Sequence, residues 1–199
     1  MINIDKMIDA EPYNLFRKYY EEAKKKDQKI IEAISISSYD KKSSIVDSRF
    51  VNLKYVINDE WIFFSNYNSP KSKQFKSHDQ ITAVIFWNSI NVQIRMKAKI
   101  HKTNSEFSNK HFQSRDITKN LLAILSKQSD PLSSYDDFLK NYEKNISLAS
   151  DNLIRPEYWG GFSFYPYYFE FWEGHNSRVN KRKFYELKDQ EWKSGFLQP

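Results

Sequence analysis

The sequence predicts an α+β protein, a mostly antiparallel β-barrel that carries a helical insert. Three observations lead to it. Five segments between residues 30 and 102 are rich in β-branched and aromatic side chains or alternate apolar with polar residues, as strands do. The links between them are short, so strands adjacent in sequence pair antiparallel. Residues 103–145 then change to helical spacing, and three further strand-like segments follow. With 199 residues, 40% of them hydrophobic, one domain over residues 1–199 can bury a core of its own.

Residues 1–11 show no periodicity and are expected to be loosely ordered. Residues 12–26 (PYNLFRKYYEEAKKK) place Leu15, Tyr19 and Ala23 on one helical face and end on Lys24, Lys25 and Lys26, which suit the negative pole of a helix. A strand is expected over 30–38 (IIEAISISS). Residues 47–57 (DSRFVNLKYVI) alternate, with Phe50, Asn52, Lys54 and Val56 on one face and Arg49, Val51, Leu53 and Tyr55 on the other. The Asn58-Asp59 turn joins this strand to 61–66 (WIFFSN) as a hairpin. Residues 81–87 (ITAVIFW) read as a fully buried strand, and 91–102 alternate with Val92, Ile94, Met96, Ala98 and Ile100 inward. Thr103, Asn104, Ser105 and Glu106 form a capping box that opens a helix to about residue 115. Further helices are expected over 117–127 and over 134–145, where Tyr135, Phe138, Leu139 and Tyr142 are in phase. Strands over 162–172, 183–187 and 191–197 close the chain.

Composition narrows the function. No apolar run approaches the roughly 18–20 residues of a membrane span, and the opening residues lack a secretory pattern, so a soluble, cytoplasmic protein is expected. With no cysteine there are no disulfides, thiolate metal sites or cysteine nucleophiles. The net charge of +6 suits nucleic acid, an acidic membrane face or phosphorylated small molecules. The lysine runs at 24–26 and 41–42 read as solvated ends, and basic residues do not interleave with aromatics in one stripe, which disfavours nucleic acid. Among only four glycines there is no GxGxxG and no GxxxxGK[ST], so any phosphate must be held by side chains. His78, His101, His111 and His175 have no metal-ligand spacing, no GxSxG elbow occurs, and Asp136-Asp137 read as first-turn charges of a helix.

What remains is a scattered polar set: Arg49 and Lys54, Ser65 and Lys71, Gln93, Arg115 and Lys119, Gln128 and Ser129, then Trp172, Arg178 and Arg182. A guanidinium fork matches a phosphate, each charged hydrogen bond contributing about 1.5–3 kcal/mol. Two such clusters suit a pair of ligands with two phosphates. Singly, each residue reads as an ordinary surface charge.

Several stretches resemble the pyridoxine (pyridoxamine) 5′-phosphate oxidase family. RPEYWGGFSFYPYYFEFWEG is similar to its Pro-x-x-Trp-Gly-Gly followed by Ile-Glu-Phe-Trp-x-Gly, and SRVNKRKFYE to its Arg-Leu-His-Asp-Arg and following strand. HFQSRDITKNLLAILSKQS resembles the Tyr-Phe-x-Ser-Arg-Pro and Ser-x-Gln-Ser segment, SRFVNLK the Arg-(Ile/Met)-Val-Leu-Leu-Lys strand, FFSNYNSPKSKQ the Phe-Tyr-Thr-Asn-Tyr-x-Ser-Arg-Lys-Ala segment, and FLQP the terminal Arg-Leu-x-Pro.

The resemblance implies a split β-barrel homodimer with FMN at the subunit interface and residues 162–199 completing the site. It implies oxidation of pyridoxine or pyridoxamine 5′-phosphate to pyridoxal 5′-phosphate, with O2 as acceptor and hydrogen peroxide as product. By position, FMN contacts would be Arg49, Phe50, Val51, Asn52, Leu53, Lys54, Phe64, Ser65, Lys71, Gln93, Gln128, Ser129, Trp172 and Arg182. Substrate contacts would be Lys54, His111, Arg115, Lys119, Arg178, Val179 and Asn180, with Arg115 clamping the substrate phosphate, Arg178 near the reacting carbon, and Arg178 and Asn180 as the catalytic pair. Four positions depart from the family. Pro70 replaces a flavin-phosphate arginine, His111 a tyrosine and Lys119 a serine, while Asn180 stands where the family has a histidine and cannot titrate near neutral pH. These departures keep two alternatives open: a paralogous FMN-dependent oxidase of another small molecule, as in phenazine pathways, or a non-catalytic protein that binds flavin or pyridoxal phosphate.

Overall fold

A computed structural model describes residues 1–149 and 153–199, among which the chain forms eight strands and five helices. The strands are β1 (Ala33–Asp40), β2 (Ile45–Ile57), β3 (Glu60–Asn66), β4 (Gln80–Trp87), β5 (Val92–Lys102), β6 (Trp159–Glu173), β7 (Lys181–Lys188) and β8 (Glu191–Leu197). All pair antiparallel in one sheet of order β3-β2-β1-β4-β5-β6-β7-β8. β3 also pairs with β6, Asn66 opposite Trp159 and Trp61 opposite Phe164. The first six strands therefore close a barrel, and β7 and β8 extend it from the outer half of β6.

The barrel is filled by the expected alternation. Val92, Ile94, Met96, Ala98 and Ile100 of β5 are all buried, beside Trp61, Phe63, Phe162, Phe164, Phe169 and Phe171. Helix α1 (Glu11–Lys25) packs against this core through Tyr13, Phe16, Tyr19, Tyr20 and Ala23, with the Phe16 ring 4.5 Å from that of Trp61. Burial of each large apolar side chain contributes about 1.5–3 kcal/mol, so packing more than helix propensity holds α1 in place. Leu15, expected on that face, lies at its margin as a partly buried neighbour.

Five local features differ from the sequence reading. A β-bulge between Leu53 and Tyr55 breaks the alternation of β2, so Leu53 and Val56 both point into the core, and Lys54 and Tyr55 are left outside it. Residues 1–11 are not loose. Beyond Asn52 the edge of β2 has no β1 partner, and the N-terminal segment occupies that edge instead. Asn3 N–H donates to Lys54 O at 2.9 Å, Val56 N–H donates to Asn3 O at 2.8 Å, and Ile2 and Met7 are buried. Helix α2 (Pro70–Ser77), with proline in its first turn, follows β3 where no helix was expected. Asn104, not Thr103, caps α3 (Ser105–Gln113) by accepting from Phe107 N–H at 2.7 Å, while Glu106 pairs with Lys110 at 2.7 Å. Helix α4 (Ile117–Leu125) follows, and α5 (Tyr135–Leu148) buries none of its apolar face, although Tyr142 Oη donates to Thr118 O at 3.1 Å. No helix among the described residues is long and apolar enough to cross a membrane.

Candidate active site

A cleft of about 780 Å³ opens between the outer face of β2, the end of β3, the start of α2 and the α3–α4 junction. Its two ends are cationic for different reasons.

At one end Lys71, in the first turn of α2, is only 7% exposed. Its Nζ donates to Ser69 Oγ and to Gln128 Oε1, both at 3.1 Å, and Gln128 Oε1 also accepts from Ser65 Oγ at 3.0 Å. No carboxylate pairs with Lys71 among the described residues. Burial, with the nearby Arg49 charge adding to it, pulls its pKa down to about 8. Arg49 is tied to the barrel: Nη1 donates to Ser38 Oγ at 2.6 Å and Nη2 to Gln74 Oε1 at 3.2 Å. Pro70 lines this end and brings neither charge nor N–H.

At the other end Arg115 leaves α3 with its guanidinium 4.4 Å above the Trp159 ring. Its Nη2 donates to Lys119 O at 3.1 Å, whereas Nη1 is buried without a hydrogen-bond partner among the described residues. His111 stacks face to face on Phe64, ring centres 3.6 Å apart, and its Nδ1 lies 2.8 Å from Tyr55 Oη. Burial, then the charges of Arg115 and Lys54, lower its pKa to about 4, so the imidazole is neutral at pH 7. Lys54 stands 3.8 Å from Glu32. Trp159 itself is placed by Gly160 and Gly161, since a Cβ on Gly160 would collide with the Tyr67 phenol.

Between the ends lie Phe50, Val51 and Asn52, with Phe50 75% exposed, and Ser129 beside Gln128 on the far wall. Leu53 is the exception in the run from Arg49 to Lys54. The bulge turns its side chain into the core, where it is fully buried.

The remaining expected site residues do not line this cleft. Gln93, Trp172 and Arg182 stand side by side across β5, β6 and β7, Gln93 paired with Trp172 and Trp172 with Arg182. Arg182 Nε donates to the buried Glu170 at 2.8 Å, Arg95 pairs with the same carboxylate, and Arg182 Nη1 donates to Gln198 O at 2.9 Å. Arg178, Val179 and Asn180 form the β6–β7 connection. Arg178 has φ 63°, and Asn180 Oδ1 accepts from His175 N–H at 3.0 Å. Trp159 and Trp172 sit near opposite ends of β6, a strand of 15 residues that at ~3.3 Å per residue spans roughly 45 Å if straight. Within one chain the expected site residues thus fall into two separate groups.

Ser114, Asp116 and Trp159 also line the cleft, with Tyr55 bonded to His111 behind it, and the sequence reading singles out none of the four. Tyr55 reads as one member of an alternating strand, and only the bulge redirects it. Trp159 belongs to a quoted motif, but nothing in an isolated tryptophan signals a cation above its ring.

The closed six-strand barrel, its two-strand extension and the cleft outside β2 define a split-barrel protein. Two solved structures share this fold over 96% of the chain: PhzG from Burkholderia lata 383 in complex with tetrahydrophenazine-1-carboxylic acid (TM-score 0.89, 20% identity, 94% of that chain), and a pyridoxamine 5′-phosphate oxidase-related, FMN-binding protein from Nostoc punctiforme PCC 73102 (TM-score 0.77, 12% identity, 99% of that chain). In sequence, the chain is 33% identical over 195 residues to pyridoxine/pyridoxamine 5′-phosphate oxidase 1 of Hydrogenovibrio crunogenus, covering 96% of this chain and 90% of that protein. It is 31% identical over 193 residues to the corresponding oxidase of Vesicomyosocius okutanii, with the same coverage. Residues 159–199 match the pyridoxine 5′-phosphate oxidase C-terminal dimerisation region. The chain belongs to the pyridoxine/pyridoxamine 5′-phosphate oxidase family.

Proposed function

We propose that this protein is an FMN-dependent oxidase that converts pyridoxamine or pyridoxine 5′-phosphate to pyridoxal 5′-phosphate. The observation that carries the reading is the pair of cations in one cleft, Lys71 and Arg115, neither ion-paired with a carboxylate among the described residues, although Asp116 also lines the cleft. A buried lysine with a depressed pKa and a buried guanidinium nitrogen without a partner are both costly until an anion arrives. Two phosphates, one on the cofactor and one on the substrate, answer both.

The donor set at Lys71 fits a flavin phosphate. Lys71 and Ser65 would hold it, and Arg49, fixed by Ser38 and Gln74, would add charge from behind. Phe50, Val51 and Asn52 would flank the isoalloxazine ring. FMN held there would supply the redox chemistry, a two-electron oxidation of the substrate with O2 as the final acceptor and hydrogen peroxide as product. The protein's own work is orientation. Arg115 and Lys119 would hold the substrate phosphate, His111 would add a hydrogen bond, and Lys54 would reach across from β2. The second half-site (Gln93, Trp172, Arg178, Val179, Asn180 and Arg182) would come from a partner copy in a homodimer, consistent with the matched dimerisation region. There Trp172 and Arg182 would cover the flavin, and Arg178 would lie over the reacting carbon.

One observation favours a second reading, oxidation of another small anionic molecule in the same cleft. Asn180 does not titrate near neutral pH, and its side-chain oxygen is engaged in closing its own loop. A single experiment separates the readings. The purified protein should show a flavin spectrum, and aerobic pyridoxamine 5′-phosphate should yield pyridoxal 5′-phosphate and peroxide. Flavin without turnover points to the other substrate, whereas a colourless protein that refuses added FMN sinks both.

A further inference from the structure

His111 does not stand free in the cleft. One face of its ring lies on Phe64, the ring of Trp159 runs parallel to it at 6.3 Å, and Tyr55 meets it edge-on at 5.4 Å. Flipping the ring would abandon the 2.8 Å bond from Nδ1 to Tyr55 Oη, so its orientation is set. Tyr55 reaches it because the bulge after Leu53 turns the phenol away from the barrel interior, and because the backbone of residue 55 is bridged on its outer side by Asn3.

We propose that Tyr55 is a positioning residue for the anion end of the cleft: its hydroxyl donates to His111 Nδ1 and so places the imidazole proton on Nε2, as a neutral donor toward the anion held by Arg115. A neutral imidazole has a single N–H, and the nitrogen that accepts from the phenol cannot carry it. Burial raises the Tyr55 pKa, which keeps the phenol protonated and able to donate. The opposite tautomer would turn a lone pair toward a phosphate oxygen and lose one hydrogen bond. The family's tyrosine is thus replaced in this chain by two residues acting together, a histidine at the anion and a tyrosine behind it. The anion's identity as a substrate phosphate rests on the proposed function; the tautomer does not.

The test uses the full-length protein with 15N-labelled histidine, His111 being assigned by its loss in His111→Gln. The imidazole should show a protonated Nε2 and a bare, hydrogen-bonded Nδ1, and Tyr55→Phe should convert this to a tautomer mixture. Tyr55→Phe should also weaken pyridoxal 5′-phosphate binding roughly three- to tenfold and leave pyridoxal binding unchanged. In a His111→Gln background, where the amide donates without any tautomer to fix, adding Tyr55→Phe should have no further effect. An Nδ1–H spectrum in the unaltered protein overturns the proposal, as does an equal loss in both backgrounds. The spectrum decides the tautomer whether or not pyridoxal 5′-phosphate binds. Failure of the unaltered protein to bind it therefore counts against the substrate reading alone.

Discussion

Replacing Lys71 by methionine should make the flavin-free protein more stable while removing its grip on flavin. The side chain is 7% exposed, and the change from an unfolded pKa of 10.5 to about 8 in the fold means that burial disfavours the ammonium. Each tenfold change in proton affinity corresponds to about 1.4 kcal/mol, so the burden is roughly 3 kcal/mol, and screening by water in the open cleft reduces it to ~2 kcal/mol. Methionine keeps the length of the side chain without the charge. It leaves no orphan behind: Gln128 Oε1 still accepts from Ser65, and Ser69 Oγ still donates to Asn66 O. The sign follows from proton counts. Between pH 8 and 10.5 the unfolded chain holds a proton that the folded chain has released, so unaltered protein gains stability as pH rises through that window. The advantage of Lys71→Met should therefore be full at pH 7 and gone near pH 10.5. For a chain of this size ~2 kcal/mol is worth about 4–8 °C in Tm at pH 7. Thermal unfolding of flavin-free protein at both pH values, with a flavin fluorescence titration alongside, checks it. A variant that melts at or below the unaltered protein at pH 7 would show that the bonds to Ser69 and Gln128 outweigh the burial, and the reasoning would fail.

Arg115→Ala should raise KM for pyridoxamine 5′-phosphate about ten- to hundredfold, from the loss of one or more charged hydrogen bonds. Its Tm should change little, because relief of the buried Nη1, unpartnered among the described residues, offsets loss of the Nη2 bond to Lys119 O and of the contact with Trp159; steady-state kinetics and a melting curve read both. Arg178→Ala should retain flavin by absorbance yet lose turnover, and unchanged turnover would remove Arg178 from the mechanism. Glu170 is 2% exposed, and although burial alone would raise its pKa, Arg182 and Arg95 bring it below the ordinary carboxylate value. Its stabilising effect is present above the unfolded pKa and is lost as pH falls through the folded one. Glu170→Ala, which leaves two partly exposed arginines without their shared carboxylate, should cost about 1.5–3 kcal/mol at pH 7 by denaturant unfolding, with a smaller loss in acid.

The strands and the insert were legible because a barrel needs strict alternation and short links, and Val92 through Ile100 spell that out. What escaped was whatever depends on a break in the rule. The bulge after Leu53 is invisible in a sequence that alternates through it, and with it went the facing of Val56 and the aim of Tyr55. The ordering of residues 2–8 depends on an edge of β2 left open by where β1 begins, which is a tertiary fact. Helix α5 has its apolar residues in phase, yet in the chain alone they meet no core. The cleft residues came chiefly through motif resemblance, since Lys71 and Arg115 are chemically distinctive only once buried away from carboxylates. No local pattern could reveal that Trp159 and Trp172, both aromatic members of one strand, serve opposite ends.

β6 carries Trp159 at one end and Trp172 near the other, the two anchors of the proposed half-sites. In the proposed two-fold assembly each cleft borrows from both subunits, so a defect is inherited by a site and not by a chain. Two impaired variants, assayed with substrate well below the raised KM of Arg115→Ala, should then cure one another. When Arg115→Ala and Arg178→Ala chains are unfolded together and refolded, mixed dimers place both lesions in one cleft and leave the other whole. Oxidase activity at that low substrate should rise in the mixture well above either parent; a mixture containing mixed dimers but no more active than its parents would mean that each chain builds its site alone.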